Sequence, residues 1–246
     1  MKYIMEDVVI VTGSSRGIGN EIVKKLAKSN KKVILNYNKS EKLAIKTKKE
    51  LEKENIFIDI FKANLSKREE AEELVEFTLN KYGKIDILIN NAGISQKKLF
   101  TDTTDEDWNL IINNNLYSAY IMSKLVIPNM IHNKKGCIIN ISSIWGSIGA
   151  SMETLYSISK AGMNGLTKSL AKEVGPSNVR VNSIAPGIIN TNMNNDLNKE
   201  ELNNIKEDIP LQKLGEKSDI TRCVEWLIED NYTTGQIICV NGGWDM

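Results

Sequence analysis

The sequence predicts a single α/β domain in which a parallel sheet is covered by helices on both faces. Short apolar runs of β type alternate with longer segments of helical periodicity along the chain, and this alternation is typical of parallel sheets with helical crossovers. No composition break, Pro/Gly linker or internal repeat interrupts the 246 residues. We therefore expect one doubly wound domain that spans residues 1–246.

Seven runs are short, apolar and bounded by turn residues, as strands are. They are residues 8–11, 32–36, 57–61, 85–89, 137–141, 180–184 and 236–240. Between them, residues 41–54 and 67–81 carry apolar side chains three and four positions apart, with Lys and Glu elsewhere. This spacing predicts helices with one buried and one solvated face. Gly83, Gly136 and Gly175 stand where we expect helices to end.

Composition excludes several classes of function. Lys plus Arg total 32 and Asp plus Glu total 31, so the net charge of +1 offers no strong field to nucleic acid or an anionic membrane. The single histidine, His132, excludes a histidine-rich zinc site and a Ser-His-Asp triad, and we expect no metal. Three dispersed cysteines and a short N-terminal apolar run predict a cytoplasmic protein without signal peptide or membrane span.

A glycine-rich turn at residues 12–19 follows the first predicted strand and precedes a predicted helix at residues 20–28. A dinucleotide pyrophosphate needs this arrangement, because backbone N–H groups and a helix N-terminus must approach its phosphates. The spacing of Gly13, Gly17 and Gly19 is neither GxGxxG nor a P-loop, which would place Lys at Ile18. A tight turn without a ligand is the alternative.

The end of the second predicted strand indicates which dinucleotide binds. Sites that prefer NAD usually place a carboxylate there, for the ribose 2′-hydroxyl. Here residues 36–40 contain none, whereas Arg16 and Lys39 could neutralise a 2′-phosphate. The sequence therefore favours NADP(H) as the cofactor.

Tyr156 and Lys160 lie four residues apart in a stretch of helical periodicity, so they share one face. A phenol titrates near pH ~10 and acts as an acid or base near neutrality only if a nearby cation stabilises its phenolate. Lys160 can supply that cation. On its own, such a pair is more often an ordinary surface pair.

Taken together, these motifs resemble those of the short-chain dehydrogenase/reductases in order and spacing, over nearly the whole chain. The resemblance rests on residues 12–19, the Asn-Asn-Ala-Gly run at 90–93, Asn115, Ser143, the Tyr156/Lys160 pair and Pro186-Gly187. It implies a single-domain Rossmann fold with a seven-stranded parallel sheet, and NADPH-dependent reduction of a ketone to a secondary alcohol.

The resemblance also implies the roles of individual residues. Tyr156 is expected to act as the general acid, Ser143 to hydrogen-bond the developing oxyanion, Lys160 to bind the nicotinamide ribose and lower the phenol pKa, and Asn115 to hold a relay water. Asn64 stands where many relatives carry an aspartate near the adenine. The expected cofactor-binding residues are Gly13, Ser15, Arg16, Gly17, Ile18, Gly19, Lys39, Asn64, Asn91, Gly93, Tyr156, Lys160, Pro186, Gly187, Ile189 and Thr191.

Within the family, residues 184–193, 209–211 and 234–243 resemble bacterial 3-oxoacyl-[acyl-carrier-protein] reductases. This implies a role in fatty acid synthesis, acyl carrier protein as partner and a homotetramer. Such reductases present two basic residues to the acidic carrier; Lys134 supplies the first, but Ser177 replaces the second. One lost rim charge is expected mainly to slow association.

Two alternatives stay open. Residues 93–96, 99–102 and 140–153 resemble relatives assigned to reducing a 5-aminopentanone group on elongation factor P, for which Glu153 could be a counter-ion. An acid that favours its helix N-terminus is an equally good interpretation of Glu153. A protein that binds NADP(H) as a redox sensor without turnover is the second alternative. In each case residues 191–208 are predicted to form a lid over the substrate.

Overall fold

Seven strands form one parallel sheet in the computed structural model of the chain, which describes residues 6–191 and 198–245 except the side chain of Lys199. Their spatial order is β3-β2-β1-β4-β5-β6-β7. The strands are β1 (Val8–Val11), β2 (Lys32–Tyr37), β3 (Asp59–Lys62), β4 (Ile87–Asn90), β5 (Gly136–Ile141), β6 (Val179–Pro186) and β7 (Ile237–Val240). The predicted α/β class and the parallel sheet are confirmed.

Helices connect the strands and cover both faces of the sheet. They are α1 (Gly17–Lys28), α2 (Glu41–Glu52), α3 (Arg68–Tyr82), α4 (Asp105–Ile112), α5 (Ser118–Asn133), α6 (Trp145–Ile148), α7 (Thr154–Val174), α8 (Lys199–Asp208) and α9 (Lys217–Glu229). A π-helical turn, Asn113–Tyr117, joins α4 to α5, and single 3₁₀ turns occupy Phe100–Asp102 and Gly175–Ser177.

The sheet is apolar on both faces, as a strand layer between two helix layers must be. Val9 and Val11 of β1 belong to one hydrophobic cluster, which includes Ile22 of α1 and Val224 of α9. The alternate residues of the strand, Val8 and Ile10, belong to a second cluster with side chains of α3 and α5. Because side chains alternate along a strand, the four consecutive apolar residues of β1 serve both layers.

All strands are parallel, but the direction in which successive strands are added to the sheet reverses between β1 and β4. From β1 the chain builds outward through β2 to β3, then crosses back to place β4 on the other side of β1, with Val9 opposite Ile87. The connections on the two sides leave in opposite directions, which opens a crevice at the carboxyl ends of β1 and β4. The fold therefore predicts a ligand site at this edge.

The structure differs from the sequence-based expectations at several element ends. Phe57 is exposed and precedes β3, and β4 begins two residues later than expected, after the buried Ile85. Helix α1 begins at Gly17, inside the glycine-rich turn. Gly83 does end α3, in a left-handed conformation. Gly175 follows α7, but its backbone is right-handed and opens a 3₁₀ turn.

Gly136 does not end a helix, so that prediction was wrong. Helix α5 ends with Lys134 in the left-handed conformation, and Gly136 is the first residue of β5. A Cβ atom at Gly136 would lie 2.8 Å from Cβ of Met130 and 2.6 Å from its Sδ. Glycine is present because α5 packs too closely on β5 to leave room for a side chain.

The predicted lid falls partly outside the described residues, which resume at Asn198. Residues 198–208 form α8 with its N-cap: the Asn198 side chain accepts hydrogen bonds from the N–H groups of Glu200 and Glu201. Among the residues that the structure describes, no helix is long and apolar enough to cross a lipid bilayer.

We predict that Gly136→Ala destabilises the protein by about 1–3 kcal/mol, because the new methyl group overlaps Met130. Gly165→Ala is the matched control: Gly165 lies inside α7, and no described atom lies within 4 Å of the place of its Cβ. This second change should stabilise by about 0.5–1 kcal/mol through helix propensity. Urea unfolding of both variants measures the two free energies; equal effects would contradict the packing argument.

Candidate active site

Two adjoining cavities lie at the carboxyl edge of the sheet, at the crevice between β1 and β4. The first, of about 370 Å³, is lined by the glycine-rich turn, the segment after β4 and α7. The second, of about 630 Å³, is lined by Tyr156, Ser143, residues 186–189 and Trp244. Ile18 and Tyr156 line both cavities, so the two cavities adjoin at these residues.

The glycine-rich turn presents backbone groups to the first cavity. Gly17 has φ +62°, and no described atom lies within 4 Å of the place of a Cβ there. Arg16 is the N-cap of α1 and makes no side-chain hydrogen bond to the first turn, which contains no acidic residue. The N–H groups and positive dipole end of α1 are thus available to an anion, which fits the pyrophosphate of a dinucleotide.

Thr12 joins the ends of β1 and β4 beneath this cavity. Its hydroxyl donates to the Ile89 carbonyl (3.3 Å) and accepts from the N–H groups of Asn91 (2.9 Å) and Ala92 (3.0 Å). The Asn91 amide in turn donates to the carbonyls of Thr12 (2.9 Å) and Gly13 (3.1 Å). These bonds hold the chain after β4 against the glycine-rich turn, so Asn91 and Gly93 line the cavity.

Asn90, the last residue of β4, makes its contacts inside the fold and not at the cavity. Its amide is buried below the cavity and donates to Ser123 (3.2 Å) and Asn140 (2.9 Å). Of the two neighbouring asparagines, Asn91 is therefore the one placed to contact a cofactor.

Helix α7 carries Tyr156 and Lys160 on one face toward the cavities, as predicted. Lys160 is buried, with 3% of its surface exposed, and its Nζ donates to the Ile141 carbonyl (2.8 Å). Nζ lies 5.5 Å from the centre of the Tyr156 ring. A second bond, from the Ser142 hydroxyl to the Lys160 carbonyl (3.2 Å), attaches α7 to the end of β5.

Ser143 follows directly and reaches the same point from the sheet. It lines the second cavity together with Tyr156, and its Oγ accepts the backbone N–H of Trp145 (3.2 Å). Ser143, Tyr156 and Lys160 therefore converge, one from the end of β5 and two from α7.

Burial shifts the pKa of both titratable groups in this cluster. Desolvation raises the pKa of Tyr156 to about 12; the Ser143 hydrogen bond acts in the opposite direction, and the charge of Glu153 adds to the rise. Desolvation lowers the pKa of Lys160 to about 8. Near neutral pH the phenol is therefore protonated and the lysine largely cationic. The rise in the phenol pKa is opposite to the lowering expected from Lys160, because desolvation is the largest effect on Tyr156.

Asn115 lies at the centre of the π-helical turn and is fully buried. Its Oδ1 accepts the Ile94 N–H (2.8 Å), and its Nδ2 donates to the Ile94 carbonyl (2.9 Å) and to Ser159 (3.0 Å). The side chain thus ties the segment after β4 to α7. Both amide hydrogens are engaged in this tie, so a relay water could contact the side chain only at the remaining lone pair of Oδ1.

The remaining predicted cofactor residues differ in their placement. Four of them line the second cavity: Pro186, Gly187, Ile189 and Thr191. Ser15 lies with Arg16 in a groove that continues from the glycine-rich turn. Gly19 is buried within α1. Lys39 is exposed outside both cavity walls, and Asn64, also outside them, accepts from the Ser66 hydroxyl (2.8 Å).

No sequence motif marks Trp244, yet it lines the second cavity and packs its ring against that of Trp145. Lys97 also lines this cavity without a sequence signal, and Ile205 of the segment predicted as a lid lines it too. Within the described ranges, no group of three or more His, Cys, Asp or Glu side chains is arranged to hold a metal ion.

The burial of Lys160 predicts a pH dependence of stability. Its pKa falls from 10.5 when unfolded to about 8 when folded, so between these values the unfolded chain binds the extra proton and stability rises with pH. Relative to Lys160→Met, the wild-type protein should gain about 1 kcal/mol between pH ~7 and ~9. Urea unfolding at the two pH values tests this, with exposed Lys168→Met of the same helix as control; parallel pH profiles of wild type and Lys160→Met would contradict it.

Comparison with known proteins agrees with this geometry. The family model for short chain dehydrogenases matches residues 7–202. The chain is 39% identical over 241 residues to a 3-oxoacyl-[acyl-carrier-protein] reductase of Buchnera aphidicola, with 97% of each chain covered. It is 36% identical to the reductase of that name from Staphylococcus epidermidis, covering 98% of this chain and all of that one.

An uncharacterized oxidoreductase of Bacillus subtilis, YmfI, is 35% identical, with 98% of this chain and 99% of that one covered. These matches extend over the whole fold and include the residues that converge at the carboxyl edge. The chain belongs to the short-chain dehydrogenase family and is an oxidoreductase that acts on ketone or alcohol groups with a nicotinamide dinucleotide.

Proposed function

We propose that this protein reduces 3-oxoacyl-[acyl-carrier-protein] to the 3-hydroxyacyl form with NADPH, in fatty acid synthesis. The observation that carries the proposal is the convergence of Ser143, Tyr156 and Lys160 at the boundary between the first and the second cavity. The names of the relatives from Buchnera and Staphylococcus support the choice of substrate.

A nicotinamide held in the first cavity would supply a hydride to the carbonyl carbon. Tyr156 donates its proton to the carbonyl oxygen, a step that burial of the phenol opposes by raising its pKa. Ser143 hydrogen-bonds the same oxygen as charge develops on it, an interaction worth roughly 3 kcal/mol in the transition state. Lys160, held by the Ile141 carbonyl, stabilises the phenolate that Tyr156 leaves behind.

Asn115 is a positioning residue in this scheme. Its two bonds to Ile94 and its bond to Ser159 set the distance between the wall of the first cavity and α7. The lid of residues 191–208 remains part of the proposal; Ile205 of α8 already lines the second cavity.

The environment of β2 supports NADPH over NADH. The Asn36 side chain is buried and occupied, since it accepts from the Gly13 N–H (3.1 Å) and donates to the Ala63 carbonyl (3.2 Å). The first acid after β2, Glu41, accepts a hydrogen bond from Tyr37 (3.1 Å). In the described part of the chain, Arg16 and Lys39 have no ion-pair partner, and both are available to a 2′-phosphate.

Lys134 lies far from the reacting groups of its own protomer. Helix α7 has 21 residues and is therefore about 30 Å long; Tyr156 lies in its first turn and Ser177 follows its end. Lys134, whose carbonyl accepts from Asn178, is thus at the opposite edge of the sheet from Tyr156. Lys97, by contrast, lines the cavity that the substrate enters. We therefore expect a carrier that delivers its substrate there to contact Lys97.

An amino-ketone, such as the 5-aminopentanone group on elongation factor P, is the second candidate substrate. Glu153 favours it, because this half-buried carboxylate lines the second cavity beside Tyr156. Burial raises the pKa of Glu153, while the nearby charge of Lys97 and a hydrogen bond with the Trp145 side chain lower it. Lys97 offsets the acid in the same wall, so the cavity has no strong net charge to select a cation.

We predict that the purified protein oxidises NADPH with acetoacetyl-[acyl-carrier-protein], and that Tyr156→Phe lowers kcat at least about 1,000-fold because the proton donor is lost. The loss of NADPH absorbance measures the rate. Tyr232→Phe, at a fully exposed tyrosine, is the control and should retain full activity.

The same assay separates the alternatives. Turnover of 5-aminopentanone-modified elongation factor P but not of the carrier thioester would replace the proposal with the second candidate. Binding of NADPH without turnover of any ketone would instead favour the redox sensor.

We predict that Arg16→Ala raises KM for NADPH about tenfold, because one charge-assisted hydrogen bond to the 2′-phosphate is lost. KM for NADH should not change. Arg68→Ala on α3, where the arginine pairs with Glu72, is the control for loss of one positive charge. An equal rise for both dinucleotides would place Arg16 on a part of the cofactor that the two share.

A further inference from the structure

Two tryptophans form one wall of the second cavity. The rings of Trp145 and Trp244 pack edge to face, with their centres 5.1 Å apart and their planes at 63°. Both line the cavity together with Ser143 and Tyr156. An apolar surface of this size next to the reacting groups is not needed for proton or hydride transfer.

Two contacts position Trp145. Its backbone N–H donates to Ser143 Oγ (3.2 Å), and its ring packs on that of Trp244. Glu153 lines the same cavity. The tryptophan wall therefore adjoins Ser143.

Trp244 is supplied by the C-terminal tail, residues 241–245, which is folded back after β7. The Gly187 N–H donates to the Val240 carbonyl (3.0 Å), and the Leu211 N–H donates to the Gly242 carbonyl (3.2 Å). Within the tail, the Asn241 side chain accepts the Gly243 N–H (2.9 Å) and donates to Asp245. The first bond holds the end of β7 beside the segment after β6, and the second attaches the tail to the segment after α8.

The apolar surface continues beyond the two rings. Ile188, which follows Gly187, and Ile205 of α8 line the same cavity. Because the backbone N–H of Trp145 is bonded to Ser143, the tryptophan part of this surface adjoins the reacting groups, and the two isoleucines add to the apolar surface available to a chain. Gln96 and Lys97, two of the polar residues that line the cavity, belong to the segment after β4.

We propose that Trp145 and Trp244 bind the alkyl chain next to the substrate's ketone, and that the C-terminal tail thereby sets the preference of the enzyme for chain length. This inference rests on the proposed function for the identity of the substrate. It adds a subsite for an unbranched apolar chain and assigns the tail to it.

The expected signature is a dependence of kcat/KM on chain length. Each methylene that leaves water for an apolar wall contributes about a fourfold gain, so activity should rise from 3-oxobutanoyl to 3-oxohexanoyl to 3-oxooctanoyl substrates. Trp244→Ala should flatten this rise to less than about twofold per step of two carbons, while the shortest substrate loses least. Trp244→Phe, which keeps an aromatic ring, should lie between the two.

The experiment measures kcat/KM for ethyl 3-oxoesters of four, six and eight acyl carbons and for the same acyl groups on the carrier. Trp226→Ala, an exposed tryptophan of α9 outside the cavity wall, is the matched control and should leave the chain-length series unchanged. Circular dichroism and NADPH affinity show whether each variant is folded.

The outcomes distinguish the two proposals. A rise with chain length that survives in Trp244→Ala, or a loss that is equal for all chain lengths, would overturn the subsite. A flattened ester series without turnover of any carrier thioester would retain the subsite and refute the proposed carrier substrate.

Discussion

The junction between β1 and β4 is the constraint on which the rest of the site depends. A parallel sheet brings the carboxyl ends of its strands to one edge, but only at the reversal of strand order do the connections diverge and leave a crevice. Thr12 closes the floor of that crevice by accepting two N–H groups from the chain after β4. Without this junction, the glycine-rich turn and the segment of Asn91 and Gly93 would not face each other across a cavity.

The convergence of Tyr156 and Lys160 on the cavities depends on a second arrangement, in which α7 is attached to the end of β5. Lys160 Nζ donates to the Ile141 carbonyl, and the Ser142 hydroxyl donates to the Lys160 carbonyl. The same burial that positions Lys160 disfavours its charge and lowers its pKa to about 8. A buried cation therefore costs folding stability at the place where Lys160 meets Tyr156.

The second cavity combines residues from elements that are distant in sequence. Ser143 and Trp145 follow β5, residues 186–189 follow β6, Ile205 belongs to α8 and Trp244 to the tail. The cavity combines the polar side chains of Ser143 and Tyr156 with an aromatic and aliphatic surface beside them. This combination is suited to a substrate that carries an apolar chain next to its ketone.

The sequence by itself determined the class of fold, because alternating β and helical periodicities have few packing solutions. It also marked Gly17, Ser143, Tyr156 and Lys160 as candidate site residues, and the fold brings all four to the two adjoining cavities. Local patterns do not fix the ends of elements: Gly136 predicts a helix terminus, whereas the constraint at this position is the approach of Met130 from another element. Tertiary structure alone decided that the Asn115 amide is occupied by Ile94 and Ser159, that Asn91 rather than Asn90 faces the cavity, and that Trp244 reaches Trp145. These contacts join residues far apart in the chain, and no local pattern encodes which distant partner a side chain will meet when the elements pack.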